Sequence, residues 1–392
     1  MPRYPRSSVT AEGLSDEVYS ELVALAEAQP GPVYRLNVGD SYLEPMPGAR
    51  AEDQKAAEHR RLHNYAAVQG EPPLLKAIID RARRRSGVEL DPQCVQVQSG
   101  ATNGLAVVCS VLLDPGDEVL LPSPFWPLIR GIISSRGCTP VEIPFYTRLG
   151  EPDFDPIEAL RASLTPRTTA IYLNSPHNPT GIVLADELVV EIGRFAERHH
   201  LWLMTDEVYE EIWYTEKQPV HLFDHEIVRK RTVATHSLSK SYALAGARVG
   251  FTHGPPEVMS AIRGAQTFTN YCAPRPLQVA AAYALQNGDR WLERIRGLYG
   301  QAARAAAAAL ALPAPAGGAF LFFDASSYLR PGETLRGLLE RCLEAGVLLT
   351  PGASAGKHYD SWIRLCFTTV SLEELEQALG RLRTVLVPAR AR

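Results

Sequence analysis

Thr232-Val-Ala-Thr-His-Ser237-Leu-Ser-Lys240-Ser-Tyr-Ala-Leu-Ala-Gly246-Ala-Arg248-Val-Gly250-Phe-Thr252 reads as two short strands around a turn of hydroxyls and small residues that carries one lysine. The strands fall at Thr232–His236 and Arg248–Thr252. Working upstream, apolar and β-branched runs bounded by polar turns recur at Cys94–Gln98, Glu118–Leu121, Thr139–Ile143, Thr169–Leu173 and Leu201–Thr205. Between them, Leu105–Leu113, Leu128–Ser135 and Asp186–His199 repeat apolar residues at helical spacing. Strands that are apolar throughout and alternate with helices predict a largely parallel sheet covered on both faces.

Further out, the chain becomes more helical. Leu14 to Gln29 spaces Leu14, Val18, Leu22 and Leu25 on one helical face, and Pro30-Gly31-Pro32 stops it. Val33–Val38 reads as a short strand, and Gly39–Arg50 as a loop. Pro73–Arg85 predicts a helix whose basic tail, Arg81–Arg85, complements the helix C-terminus and faces water. Beyond about Pro255, helices dominate. They include an Ala-rich one near Ala302–Leu312 and a closing one at Leu372–Leu386, with strands at Phe320–Phe323 and Val347–Leu349. At ~100–200 residues per domain, 392 residues suggest two domains. The expected fold class is α/β: a large domain over 46–285 with a mostly parallel sheet flanked by helices. A smaller α+β domain would come from 286–392, with an N-terminal arm over 1–45 contributing to it.

Composition narrows the function. Forty Lys and Arg stand against 44 Asp and Glu, a net charge of −4, which gives no electrostatic reason to bind nucleic acid or an anionic membrane. The six cysteines are scattered without a Cys-x-x-Cys pair, which argues against a disulfide framework or a clustered metal site and suits a reducing cytoplasm. Met1-Pro-Arg-Tyr-Pro-Arg6 leads into no apolar run, so no secretory leader is expected. His-Glu-x-x-His and a Gly-x-Gly-x-x-Gly between a strand and a helix are both missing. Gly352-Ala-Ser-Ala-Gly356-Lys357 has three residues between its glycines where a phosphate loop needs four. No metal is expected.

Three segments load polar groups at expected strand ends: Asn174-Ser-Pro-His-Asn178-Pro-Thr-Gly181, Thr205-Asp206-Glu-Val-Tyr209 and His236-Ser237-Leu-Ser239-Lys240. In an open parallel sheet, those ends form the ligand crevice. A lysine able to lose its charge can condense with an aldehyde. A carboxylate opposite a pyridine nitrogen makes the ring an electron sink. A phenol and an amide can hold a phenolic oxygen. Pyridoxal 5′-phosphate is the shortest consistent account.

With these segments in order, the chain resembles the fold-type-I, class I/II aminotransferases (the aspartate aminotransferase-like family) from about Leu36 to its end. The Ser-x-Ser-Lys240 run, followed by Gly246-x-Arg248-x-Gly250, is the most specific element. The resemblance implies the site roles. Lys240 forms the imine with the cofactor and then moves the proton. Asp206 pairs with the ring nitrogen, Tyr209 and Asn178 bond the phenolic oxygen, and Trp126 stacks on the ring. Gly100, Ala101 and Thr102 open a helix at the phosphate, with Ser237 and Arg248 adding side-chain donors. Tyr65 reaches the neighbouring subunit's phosphate, which implies a homodimer with shared active sites. Arg364, in Trp362-Ile-Arg364-Leu-Cys-Phe367, forks the substrate carboxylate beside Asn178, and Gly39 belongs to the loop that closes over substrate. His177 and His236 read as structural.

The implied activity is transfer of an amino group between an L-amino acid and a 2-oxo acid. A lyase, decarboxylase, racemase or synthase on the same scaffold is the alternative. Members that prefer dicarboxylic acids carry an arginine four residues before a hydroxyl–Asn pair. If Thr269-Asn270 is that pair, Ala265 holds the position, which leans the donor towards neutral or aromatic amino acids.

Overall fold

The computed structural model describes residues 8–11, 14, 22–55 and 58–388. Its centre is a seven-stranded sheet of β1 (Val95–Gln98), β2 (Glu118–Ser123), β3 (Thr139–Pro144), β4 (Thr168–Asn174), β5 (Trp202–Asp206), β6 (Thr232–Ser237) and β7 (Gly250–His253). Their spatial order is β1-β7-β6-β5-β4-β2-β3, and β7 alone runs antiparallel to its neighbours. All seven are the strands expected from the sequence, with ends shifted by at most two residues. Shifts of two occur at the end of β2 and at the start of β7, the latter because Arg248 adopts a left-handed conformation (φ 51°) and the strand starts only at Gly250.

Alternate residues of the central strands feed two cores, which is why those strands read as apolar throughout. Val119 and Leu121 pack with Leu105, Val108, Ile129 and Ile262 on one face, from helices Ala101–Leu112, Pro127–Ser134 and Pro256–Thr269. Leu120, Ile171 and Leu203 pack with Leu160, Ile192 and Phe195 on the other, from Pro156–Ala162 and Asp186–Arg198. The side-chain period of two in a strand makes this division automatic.

A smaller sheet joins β8 (Phe320–Asp324), β9 (Thr350–Pro351) and β10 (Trp362–Cys366) antiparallel, in the order β9-β10-β8. The sequence reading had treated β10 only as a motif. Tyr34–Arg35 pairs parallel with Val347–Leu348, tying the N-terminal arm to the C-terminal part. Leu22 and Leu36 share a core there with Ala306, Leu339, Leu365 and Leu379. Of the helix expected over 14–29, Leu22–Glu27 is helical; the expectation at Val18 lies outside the described residues.

One expectation is corrected. The basic tail of helix Pro72–Ser86 does not all face water: Arg81 and Arg85 turn inward onto Glu211 and Glu210. They are four residues apart, hence on one helical face, while Arg83 between them is exposed. Among the described residues, no helix is long and apolar enough to cross a membrane.

Candidate active site

The carboxyl ends of β4, β5 and β6 deliver Asn174, Asp206 and Ser237 side by side, with Asn174 in register with Asp206. Above them opens a cleft. It is lined by Gly39, Ala101, Thr102, Trp126, Asn178, Asp206, Tyr209, Ser237, Lys240, Arg248 and Arg364, nearly all the residues that the sequence had nominated. Gly100 sits just behind Ala101 as the cap of its helix. Tyr65 stands apart: its side chain is 82% exposed and meets Tyr271 edge-on at 5.2 Å.

Lys240 follows β6 on a tight turn in which Ser239 N–H donates to Ser237 Oγ at 3.0 Å. Its ammonium donates to the Gly39 carbonyl, so lysine and loop already touch. Burial pushes the Lys240 pKa below its usual range, and the Asp40 charge only partly opposes this. Asp206 is buried, and that burial pushes its pKa up to about 6. Tyr172 Oη donates to Asp206 Oδ2 at 2.7 Å, and Val208 N–H donates to Oδ1 at 3.2 Å. A carboxylate held this way suits a cationic nitrogen inside the cleft.

The opposite end of the cleft is built for an anion. Helix Ala101–Leu112 starts there, and its first N–H groups have no intrahelical acceptor. Gly100 has φ 81°, and a β-carbon on it would collide with the Arg248 guanidinium. Gly250 is equally constrained, since a β-carbon would press on the His236 carbonyl and the backbone of Gly100 and Ala101. Glycine at both positions lets Arg248 lie against the helix start, where Nη1 donates to the Ala245 carbonyl at 2.9 Å.

Arg364 comes from β10 and is buried. Its Nη2 donates to the Asn37 carbonyl at 2.9 Å and its Nη1 to Asn178 Oδ1 at 3.2 Å, while the guanidinium lies 4.6 Å above the Phe320 ring. Asn178 N–H donates to Asn174 Oδ1 at 2.7 Å, and Asn174 Nδ2 donates to the Asp206 carbonyl at 2.6 Å. A continuous hydrogen-bonded path therefore runs from Asp206 to Arg364. Tyr209 packs edge-on to Phe320 at 5.8 Å.

Sequence reasoning missed Tyr172 and Phe320. A tyrosine in the aliphatic run Thr168-Thr-Ala-Ile-Tyr-Leu-Asn174, two residues before the polar end, was the available signal for the first. Gly317-Gly318, which lets a strand start close to the cleft, was the signal for the second. His177 is structural: its ring stacks on Tyr146 and its Nδ1 meets Thr180 Oγ1 at 2.7 Å. His236 points away from the cleft into a buried network, with Nδ1 3.0 Å from Glu210 Oε2 and Nε2 2.8 Å from His253 Nε2. Glu210, His221 and His236 there have metal-ligand character, but Arg85 Nη1, 2.8 Å from Glu210 Oε2, already supplies the cation.

The family model for class I and II aminotransferases matches residues 32–382, and the chain belongs to that family. The aspartate/prephenate aminotransferase of Thermus thermophilus is 32% identical over 331 residues, covering 82% of this chain and 83% of its own. The arginine–pyruvate transaminase of Pseudomonas aeruginosa is 32% identical over 378 residues, 92% of this chain and 91% of its own. Among solved structures, Thermus thermophilus aspartate aminotransferase with maleate superposes with a TM-score of 0.88 at 27% identity, covering 97% of this chain and all of that one. The protein is thus an aminotransferase, and the family works with pyridoxal phosphate. The cleft fits that group in three respects: a lysine with a depressed pKa, a buried carboxylate, and a glycine-lined helix start bearing Arg248.

Proposed function

We propose that the chain moves an amino group between a neutral or aromatic L-amino acid and a 2-oxo acid. The convergence of Lys240, Asp206, Arg248 and Arg364 in one cleft carries this reading. Pyridoxal phosphate, when bound, supplies an aldehyde carbon and an electron-withdrawing ring. Lys240 would hold the aldehyde carbon, Asp206 the ring nitrogen, and Tyr209 with Asn178 the phenolic oxygen. Trp126 would cover the ring face. Ser237, Arg248 and the helix start from Gly100 to Thr102 would hold the phosphate.

Arg364 orients the substrate by pairing its planar fork with the α-carboxylate. With the carboxylate held by Arg364, the Cα–H bond rather than the bond to the carboxylate would be the one placed for cleavage, which favours deprotonation over loss of carbon dioxide. Lys240, whose pKa burial pushes down, would take the proton from the substrate Cα and hand it back within the cleft. Gly39, whose carbonyl already meets Lys240, would close the cleft and exclude water.

The substrate preference rests on the charges of the cleft. Its cations among the described residues are Lys240, Arg248 and Arg364, each with a role already. The remaining surface is largely apolar, including Val38, Leu105, Leu128 and Phe320. Ala265, whose carbonyl accepts from Thr269 Oγ1 at 2.7 Å, adds no charge near Thr269-Asn270. A homodimer is part of the proposal: Tyr65 (82% exposed) and Phe268 (93% exposed) would be covered by a second copy, with Tyr65 reaching the partner subunit's phosphate. We also propose the division into an arm (1–45), a large domain (46–285) and a small domain (286–392). Six free thiols suit a reducing cytoplasm.

The test is a half-reaction. A panel of amino acids, without any acceptor, should convert the aldehyde band of the bound cofactor to the amine band, and a 2-oxo acid should restore it. Neutral or aromatic donors should act at lower concentration than aspartate, and borohydride should fix the cofactor to the peptide carrying Lys240. Ammonia with pyruvate, or carbon dioxide, as products with the aldehyde band retained would overturn the reading.

A further inference from the structure

Among the described residues, Asp206 carries the only carboxylate in the lining of the cleft, and the chain equips it from behind. The Tyr172 hydroxyl bonds Oδ2 at 2.7 Å from the neighbouring strand, while Tyr172 itself takes no part in the cleft surface. Both side chains are buried, at 2% and 5% exposure. Space filling in β4 needs only an apolar ring. A buried hydroxyl needs a partner, and here that partner is the carboxylate proposed to hold the ring nitrogen.

We propose that Tyr172 is a positioning residue that holds Asp206 ionised and aimed at the cofactor nitrogen by donating its phenolic hydrogen to Oδ2. This rests on the pyridoxal-phosphate reading of Asp206 given above.

The direction of donation is fixed. Burial and the adjacent Asp206 charge push the phenol's pKa far up, so Tyr172 keeps its proton and can only donate to a carboxylate. A hydrogen bond to the charged form favours that form, so Tyr172 opposes the burial that drives Asp206 towards neutrality. The other groups that bear on the pair are few. Val208 N–H serves Oδ1, and His236 on β6 adds a weaker electrostatic pull. On β4, Asn174 bonds the Asp206 carbonyl rather than its carboxylate. Tyr146, from the segment after β3, hydrogen-bonds Asn174 and adds to the pressure on Tyr172, as does Cys109 from helix Ala101–Leu112.

The test measures association of pyridoxal phosphate with the full chain, after removal of the resident cofactor, from about pH 4.5 to pH 8. The ratio of variant to parent at each pH cancels the cofactor's own titration. Association should weaken on the acid side as Asp206 takes up a proton. Tyr172→Phe should move that acid limb up by about one pH unit, roughly tenfold weaker association on the limb. Asp206→Asn should abolish the limb. A Tyr172→Phe limb that superimposes on the parent's, while Asp206→Asn lacks it, overturns the role of Tyr172 and leaves that of Asp206 standing. A limb that survives Asp206→Asn overturns the Asp206 reading and the proposal with it. Should Tyr172→Phe fail to fold, 3-fluorotyrosine at position 172 keeps the shape and donates more strongly. It should shift the limb down, and an unmoved limb overturns the proposal.

Discussion

Replacing Arg364 by lysine keeps the charge and removes the fork. In the structure the guanidinium donates to the Asn37 carbonyl and to Asn178 Oδ1 and is backed by the Phe320 ring. A planar group with five donors can hold those two acceptors and still present N–H groups to a carboxylate; an ammonium with three donors on a flexible stem cannot do so in one plane. The lysine variant should therefore lose at least one charge-assisted hydrogen bond to substrate, about 1.5–3 kcal/mol. At 1.4 kcal/mol per decade, this amounts to roughly a 10- to 100-fold rise in the amino-acid concentration that half-saturates the half-reaction. Stopped-flow absorbance over a range of amino-acid concentrations separates that constant from the limiting rate. The limiting rate should change less, because the carboxylate is bound equally before and during proton transfer. An unchanged half-saturating concentration with a depressed limiting rate would refute the reasoning, since Arg364 would then serve the chemistry and not the binding.

Two further outcomes follow from Asp206 and Tyr65. The Asp206 carboxyl has a folded pKa near 6 against an ordinary 3.8, so in the cofactor-free chain its stabilising contribution is complete below about pH 4 and lost as the pH rises through 6. Asp206→Asn should accordingly raise the unfolding temperature of the cofactor-free chain, relative to the parent, more at about pH 7 than at about pH 4; an equal difference at both would contradict the assignment. Tyr65→Phe should weaken cofactor retention by the worth of one charged hydrogen bond, roughly 1.5–3 kcal/mol, without dissociating the dimer. Sedimentation showing a monomer with full activity would rule out the shared site.

The sheet was legible because its strands are buried on both faces and punctuated by polar turns, so seven short runs separate cleanly from the helices between them. The site was legible for a related reason: Asn174, Asp206 and Ser237 end adjacent strands, and their neighbours Asn178, Tyr209 and Lys240 follow within four residues. What stayed hidden depends on tertiary direction. Nothing in Arg81–Arg85 tells that two of its four arginines face Glu210 and Glu211, more than a hundred residues away. The left-handed turn at Arg248 is likewise invisible in a sequence where a strand could begin at that residue. Tyr172 reads as core until the register of β4 on β5 brings its hydroxyl to Asp206.

The hydrogen-bonded path from Asp206 through Asn174 and Asn178 to Arg364 also divides the cleft into two kinds of surface. Groups on the path serve what every amino acid presents, and replacing one leaves a buried partner stranded. Val38 and Leu128 lie off the path and contribute only shape. An exchange of one apolar side chain for another there costs little and strands no partner. New side-chain preferences can therefore arise at those positions by single substitutions, while the apparatus of proton transfer stays fixed; the architecture keeps the choice of substrate evolvable and the chemistry conservative.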